Sequence, residues 1–404
     1  MMFAVELGRE PLLSLVELET RFRTQGQRTT FQVIAPKVVA IEVDSFSQEL
    51  FFSLGGSIKY AQLLLRIPAD EFTHDPLRIL IDDMFIHSAF GDEESVSFAV
   101  SAYGNIPSGF YRKIKPLAIQ WKKHLKQKFQ HVRFVESKDP TTSSVTVARN
   151  RLLRGCDLWM VFFKDEVLFF KTLAVQDFHS FAERDFGRPR RNARNGMLPP
   201  KLARIMVTLS GAGEKSVLHD PFVGSGTILQ EAGLLGVQKL IGTDIHPQNI
   251  TDAQQNLDWL EERTDKKWSL ELAAGDIRFI TPEQYPGVTH VVAEIDLGDP
   301  LQRRSRPDEA VSFAREAEVL AQALFAYALG QQTCSAIVLA LPFWPHIQGQ
   351  PTRVSFSIPD GFSLLDSYVF GALYPTELSS RGGFDYMRPD QFVGREILAF
   401  QKTK

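Results

Sequence analysis

The stretch 219–229, HDPFVGSGTIL, sets a carboxylate, a proline and two glycines ahead of an apolar helical run. Two more acids close short apolar runs downstream: Asp244 in KLIGTDI and Asp276 in LELAAGDI. Glycines at 224 and 226 open the backbone to close approach by a phosphate, a nucleoside or no ligand at all. The dinucleotide pattern G-x-G-x-x-G is incomplete, because Leu229 stands at the third glycine position. A P-loop is excluded, since no Gly-Lys-Ser/Thr sequence follows the turn. Asp244 lies 20 residues after Gly224, which fits a dinucleotide or a nucleoside equally. Asp220 discriminates. A carboxylate beside a pyrophosphate is repelled, whereas one beside an ammonium or sulfonium is attracted. The expected ligand is a cationic nucleoside such as S-adenosylmethionine. Gly224 and Gly226 would admit its amino-acid moiety, Asp244 would accept the ribose hydroxyls and Asp276 the adenine amine. Pro221, Ser225, Thr227, Ile245 and Ile277 belong to the same strand ends and are assigned to the same ligand. The plain alternative is that all of these are turn and cap residues of an ordinary α/β domain. An NAD-dependent dehydrogenase fits the order of elements but not Asp220 or Leu229.

Those acids need a sheet to bring them together. From residue 215 onward, SVLHDPF, KLIGTDI, LELAAGDI, HVVAEID and SAIVLALPF are short apolar runs ending in polar clusters. Helical runs such as PQNITDAQQNLDWLEE and DEAVSFAREAEVLAQALFAYALG separate several of them, the pattern of a parallel sheet covered on both faces. FSLLDSYVFG and VGREILAFQK follow without a long helix between them and predict an antiparallel edge hairpin. Upstream, Pro189, Gly196, Pro199 and Pro200 forbid a long helix before 200. Leu202, Ile205, Met206 and Leu209 then give a helical stripe.

The first 176 residues read as α+β. FAVEL predicts a strand, PLLSLVELETRF a helix, and FFSLGGSIKYAQLL a Gly-Gly turn with a second amphipathic segment. SVSFAVSAYG alternates with strand period, and LWMVFF and VLFFKTLAV predict a closing strand pair. Leu117, Trp121, Leu125 and Phe129 recur every four residues on a Lys-rich helix.

Charge is distributed unevenly. The net charge of −3 indicates no general attraction to nucleic acid, yet 111–133 holds eight Lys/Arg and no carboxylate. Residues 184–204 hold seven Lys/Arg against one Asp, and 252–299 reverses this with eleven acids against four bases. A basic first half suits a polyanion such as RNA, with Arg112, Lys113, Lys122, Lys123 and Lys126 as candidate phosphate contacts. A solvated helix face is the alternative. Arg188, Arg190, Arg191 and Arg194 would bind RNA or simply link domains. Cys156 and Cys334 lie 178 residues apart, and His246 and His290 have no ligand-like spacing, so neither a disulfide framework nor a metal site is expected. Without an export signal or a long apolar run, the expected location is the cytoplasm.

Three stretches together, RDFGRPRRNARNGMLPPKLARIMVTLSG, DPFVGSGTILQEA and MRPDQFVGREILAF, resemble the THUMP-containing tRNA guanine-N2 methyltransferases. The resemblance implies a ferredoxin-like domain over 1–70 and a THUMP-like RNA-binding domain over 71–176. It further implies a linker and docking helix over 177–210 and a Rossmann-like, S-adenosylmethionine-dependent methyltransferase domain over 211–404. It places Met197 and Leu198 of GMLPP at the methionine end of the cofactor and makes tRNA the partner. A Cys usual in the first motif is Val223 here.

The resemblance breaks where catalysis is expected. The family's stretch after the fourth strand is an acid or Asn followed by Pro and aromatic residues, which holds and stacks a flipped base. This chain reads VVAEIDLGDP, keeping an acid at Glu294, placing Ile295 at the proline position and adding a second carboxylate at Asp296. Two outcomes remain open. Either Glu294 or Asp296 orients the target amine, with stacking supplied by Phe343 or Trp344, or the chain is a catalytically impaired relative that binds S-adenosylmethionine and tRNA.

Overall fold

Strands and helices form where the apolar periods place them. The computed structural model describes residues 1–77, 79, 82–91, 93–191, 197–297, 303–346, 349–365, 374, 378–388 and 391–403. They make two units. The first comprises Met1–Pro11, Gln25–Phe52 and Ser57–Asp177, the second Leu12–Thr24, Ser53–Gly56 and Phe178–Lys404.

In the first unit, strands β1 (Met2–Leu7), β2 (Thr30–Ala35), β3 (Val38–Glu42), β4 (Ser57–Pro68), β5 (Ser95–Gly104), β6 (His131–Phe134), β7 (Cys156–Phe163) and β8 (Glu166–Val175) form a single sheet. Their order is β2-β3-β1-β4-β8-β7-β5-β6. The antiparallel pair β4–β8 joins strands from 1–70 to strands from 71–176. In β7, Leu158, Met160 and Phe162 enter one core while Trp159 and Val161 enter another, so the strand is covered on both faces. The basic helix runs over Tyr111–Leu125, beginning before Pro116, and buries Ile114, Leu117, Trp121 and Leu125. Phe129 is buried beyond its end.

The second unit takes in the N-terminal helix Pro11–Thr24. Leu12, Leu13 and Val16 share a core with Leu202 and Met206 of the helix Pro200–Ser210. The carboxylate of Glu17 accepts the N–H groups of Gly55 and Gly56 at 2.7 and 2.8 Å. A Cβ at position 55 would stand 2.4 Å from the Lys201 carbonyl oxygen, so this approach requires glycine.

The sheet of this unit contains β9 (Val217–Asp220), β10 (Lys239–Asp244), β11 (Ser269–Ala274), β12 (His290–Glu294), β13 (Ala336–Trp344), β14 (Thr352–Arg353), β15 (Phe362–Leu364), β16 (Phe384–Tyr386) and β17 (Gly394–Lys402). The main order is β11-β10-β9-β12-β13-β17-β15, with β14 on β13 and β16 on β17. Strands β9 to β13 pair in parallel. Successive residues of β12 and β13 alternate between two cores: Val292, Val338 and Ala340 on one face, Val291, Ala293, Ile337 and Leu339 on the other. The tail strands are antiparallel as expected, but β17 is not at an edge. It lies between β13 and β15, so both of its sides are paired. Residues 366–371 of the expected hairpin lie outside the described residues.

Candidate active site

The chain leaves β9 for β10 on one flank, and β12 later takes the other flank. Connections diverge at such a switch point and leave a crevice beyond the carboxyl ends of the strands. Here it is a cavity of ≈ 560 Å³. Asp220 ends β9, Asp244 ends β10, Glu294 ends β12, and Asp276 stands two residues past β11. All four line the cavity, with Met197, Leu198, Pro221, Gly224, Ser225, Thr227, Ile245, Ile277 and Asp296. Among the expected residues, Gly226 is not on the wall. It caps the helix Thr227–Leu234 in the left-handed region, at φ 82°, where a Cβ would meet that of Ala253 at 3.3 Å. Gly224 also has positive φ, at 49°.

The turn is fixed by the carboxylates below it. Asp244 accepts the Gly224 N–H through Oδ2 at 3.0 Å and the His246 N–H through Oδ1 at 2.9 Å. Asp220 accepts the Phe222 N–H at 3.1 Å. Burial raises the Asp220 carboxyl well above its ordinary range; the negative charges of Asp244 and Glu294 add to the rise and the Phe222 N–H opposes it. Beneath them, His219 is buried between Tyr327 Oη at 2.8 Å and Thr243 Oγ1 at 3.1 Å, and burial lowers it to about 3, leaving it neutral. Asp276 differs. It is paired with the Arg278 guanidinium, Nε lying 3.0 Å from each oxygen, and that pairing lowers its carboxyl.

Glu294 is bonded by Nε of Arg395, a wholly buried side chain of β17 whose Nη1 also donates to Gln391 Oε1 at 3.3 Å. Burial raises Glu294, Arg395 opposes the rise, and Asp296 adds to it. Asp296 is exposed, so the second carboxylate sits at the rim rather than in a buried pocket. Ile295 is buried, and its N–H donates to the Ala340 carbonyl at 3.1 Å, a bond that proline cannot make. Phe343 and Trp344 are 5% and 1% exposed and belong to the core; neither lines the cavity. Phe222 is the Phe, Tyr or Trp ring among the described residues of the wall.

Sequence reasoning missed His246, Asn249 and Asp252, although Asn249 and Asp252 stand one helical turn apart on the helix that follows Asp244. Glu316, Val319 and Leu320 also line the cavity, from the helix Pro307–Gly330. No local signal marks them, because only the sheet crossover brings that helix here.

The basic residues divide by partner. In the first unit, Lys115 pairs with Glu136 at 2.8 Å and Lys128 pairs with Asp83. Arg112, Lys113, Lys123 and Lys126 are exposed and Lys122 half-buried, and none of the five has an ion-pair partner among the described residues. In the second unit, Arg190 donates to Gln255 Oε1 at 2.6 Å, and Arg191 lies over the Phe186 ring at 5.1 Å. Arg188 turns inward and is 3% exposed, which removes it from any RNA-facing surface. Arg194 lies outside the described residues. Among the described residues, no group of three or more His, Cys, Asp or Glu is arranged for a metal ion, and no helix is long and apolar enough to cross a membrane.

Residues 188–281 match the family described as RMKL-like, methyltransferase domain, and the glycine turn, Asp220, Asp244 and Asp276 fall inside the matched stretch. The tRNA (guanine(10)-N2)-dimethyltransferase of Methanothermobacter thermautotrophicus is 47% identical over 62 residues, 15% of this chain and 18% of that protein. The enzyme of the same name from Methanocaldococcus jannaschii is 54% identical over 50 residues, 12% of this chain and 14% of that one. The matched stretch thus spans under a fifth of the length of these curated relatives. The crystal structure of TrmN from Thermus thermophilus shares the fold, with a TM-score of 0.56 at 15% identity over 100% of both chains.

Proposed function

We propose that this chain is an S-adenosylmethionine-dependent methyltransferase acting on the exocyclic N2 amine of a guanosine in tRNA. One observation carries the reading. Asp220, Asp244 and Glu294 converge at the ends of three adjacent strands around a glycine turn, within a domain that matches a methyltransferase family. Arg278 is the one Lys or Arg among the described lining residues, and Asp276 already holds it. An acidic cavity of this kind disfavours a pyrophosphate and favours a cationic nucleoside.

The residues fit the roles required. The cofactor, when bound, supplies an electrophilic methyl group. Met197, Leu198, Gly224 and Ser225 would border its amino-acid moiety, Asp244 its ribose and Asp276 with Ile277 its adenine. Asp220 would accept the ammonium. Guanine N2 is a weak nucleophile because its lone pair is delocalised into the ring. An acceptor fixed beside it holds its hydrogens and directs the lone pair at the methyl group. Glu294 would be that acceptor, since Arg395 occupies Oε1 and helps keep the carboxylate ionised. Phe222 would supply the ring face.

The division into a ferredoxin-like part over 1–70, a THUMP-like part over 71–176, a linker and docking helix over 177–210 and the catalytic domain over 211–404 is part of the same reading. So are tRNA contact through Arg112, Lys113, Lys122, Lys123 and Lys126 and a cytoplasmic location.

Titration calorimetry with S-adenosylhomocysteine and with NAD tests the cofactor, and nucleoside analysis of unmodified tRNA after incubation with S-adenosylmethionine tests the reaction. S-adenosylhomocysteine should bind, NAD should not, and N2-methylguanosine should appear. Tighter binding of NAD would overturn the reading. A protein that binds S-adenosylhomocysteine and tRNA yet transfers no methyl group would instead be the catalytically impaired relative.

A further inference from the structure

Among the described residues Arg188 makes no ion pair; the carboxylates of Asp185 and Glu231 act on it only from beyond ion-pair distance. Arg188 Nη1 donates to Thr227 Oγ1 at 2.6 Å and its Nη2 to Met197 Sδ at 3.0 Å, both uncharged acceptors. Its Nε is buried with no hydrogen-bond partner. Among the described residues, no carboxylate oxygen forms an ion pair with it, and the neighbouring segment 192–196, NARNG, contains no acid. The nearby Glu231 is already committed, through Oε1 to Arg184 Nε at 2.5 Å and through Oε2 to Arg204 Nε at 2.7 Å. A buried guanidinium left in this state is costly, and an orphaned buried donor calls for a partner. Both groups that Arg188 touches, Thr227 and Met197, are on the wall of the acidic cavity.

We infer that Arg188 is the carboxylate-binding cation of this cavity, and that the ligand it awaits is the free α-carboxylate of an amino-acid moiety. The inference rests on the reading of the cavity as an S-adenosylmethionine site, and it adds the side chain that recognises the acidic end of the ligand. A zwitterion then meets opposite charges on the two sides of the glycine turn, with Asp220 toward the ammonium and Arg188 toward the carboxylate. Thr227, at the first position of its helix, lines the cavity and accepts from Arg188, which stands directly behind the wall rather than on it. Acids elsewhere in the cavity reinforce this orientation, because they would repel a carboxylate placed near Asp244 or Asp276.

The test compares S-adenosylhomocysteine with 5′-deoxy-5′-methylthioadenosine, which lacks the amino-acid moiety, by calorimetry on the full chain. Melting temperatures of the ligand-free proteins are measured alongside. Arg188→Met should weaken S-adenosylhomocysteine by roughly 10- to 100-fold, the range for losing a hydrogen bond to a charged group. It should leave methylthioadenosine within about twofold, and the ligand-free melting temperature should hold or rise because an uncompensated buried charge is gone. Arg188→Lys should fall between. Equal weakening of both ligands with a lowered melting temperature would make Arg188 a structural tie and overturn the inference, as would unchanged affinity for S-adenosylhomocysteine. If Arg188→Met does not fold, the wild type still decides: S-adenosylmethionine must bind at least tenfold tighter than its decarboxylated form. If the wild type binds neither S-adenosylhomocysteine nor methylthioadenosine, the cofactor reading itself fails.

Discussion

Glu294 and Asp296 are two acids that their surroundings separate. Glu294 lines the cavity bonded to a buried guanidinium, while Asp296 is exposed at the rim. If Glu294 orients the amine, Glu294→Ala should lower kcat on the order of 100-fold with little change in tRNA or cofactor affinity, because the contact matters mainly at the transition state. Asp296→Ala should have a much smaller effect, since its charge is solvated. Single-turnover rates for both variants check this, and the reverse ranking would move the role to Asp296. Arg395 provides a second check. Burial already raises the Glu294 carboxyl and Arg395 opposes it, so Arg395→Met should raise it further. An acceptor must be ionised, so the acid limb of the kcat–pH profile should move to higher pH; an unmoved limb would show that Glu294 is not the titrating acceptor. This site was only half legible. The acid at 294 could be placed from the run HVVAE, but its partner stands 101 residues later, on a strand whose inward charge no local pattern announces. Ile295 was legible as a departure, but not its N–H bond to Ala340, so converting it to proline removes a sheet hydrogen bond as well as changing shape.

At the scale of elements, periodicity sufficed wherever one face is apolar. The alternation in SVSFAVSAYG became β5, and the stripe Leu202–Leu209 became a buried helix, because burial of a face is a local property of the chain. Buried charges escaped it. Lys59 sits in β4 where polar residues alternate with apolar ones, yet it is wholly buried, with Nζ 2.7 Å from the Thr142 carbonyl and paired with Glu6 and Asp157. Its partners are distant in sequence and invisible to any window. Glu17 is the same case on the N-terminal helix, and it has a measurable consequence. Burial pushes its carboxyl up to about 7, against the Gly55 and Gly56 N–H groups and Arg204. The folded protein therefore holds a proton that the unfolded chain releases near its ordinary 4.5. Below that pH the two states are protonated alike. Stability should fall as pH rises from about 4.5 to about 7, by on the order of 3 kcal/mol, and then level off. Glu17→Gln cannot titrate, so the difference in melting temperature between it and the wild type should vary over that window and be constant above it. A difference that stays constant from pH 4.5 to 8 would assign the titration elsewhere.

The whole molecule carries one net charge but two electrostatic surfaces. An acidic cavity in one unit and a basic helix in the other follow from where acids and bases cluster along the chain, which is why the sequence showed both. It did not show which cations are available. Reading 111–133 as free of acids overlooked Asp83 and Glu136, which arrive from other elements and neutralise Lys128 and Lys115. Arg112, Lys113, Lys122 and Lys123, with Lys126 at the C-cap, remain without ion-pair partners among the described residues, on a helix whose other side is anchored by Leu117, Trp121 and Leu125. Phosphate contacts release condensed counterions, so tRNA binding through this helix should weaken steeply with salt. Lys122→Glu, Lys123→Glu and Lys126→Glu combined should abolish tRNA binding in filter or anisotropy assays. Affinity for S-adenosylhomocysteine should not change, because the cavity belongs to the other unit. Lys115→Glu combined with Lys128→Glu makes the control: these cations are already paired, so their reversal should cost less tRNA affinity than the triple change. If the control matches the triple variant, net charge rather than this surface governs binding; if the triple variant binds tRNA as the wild type does, the RNA surface lies elsewhere.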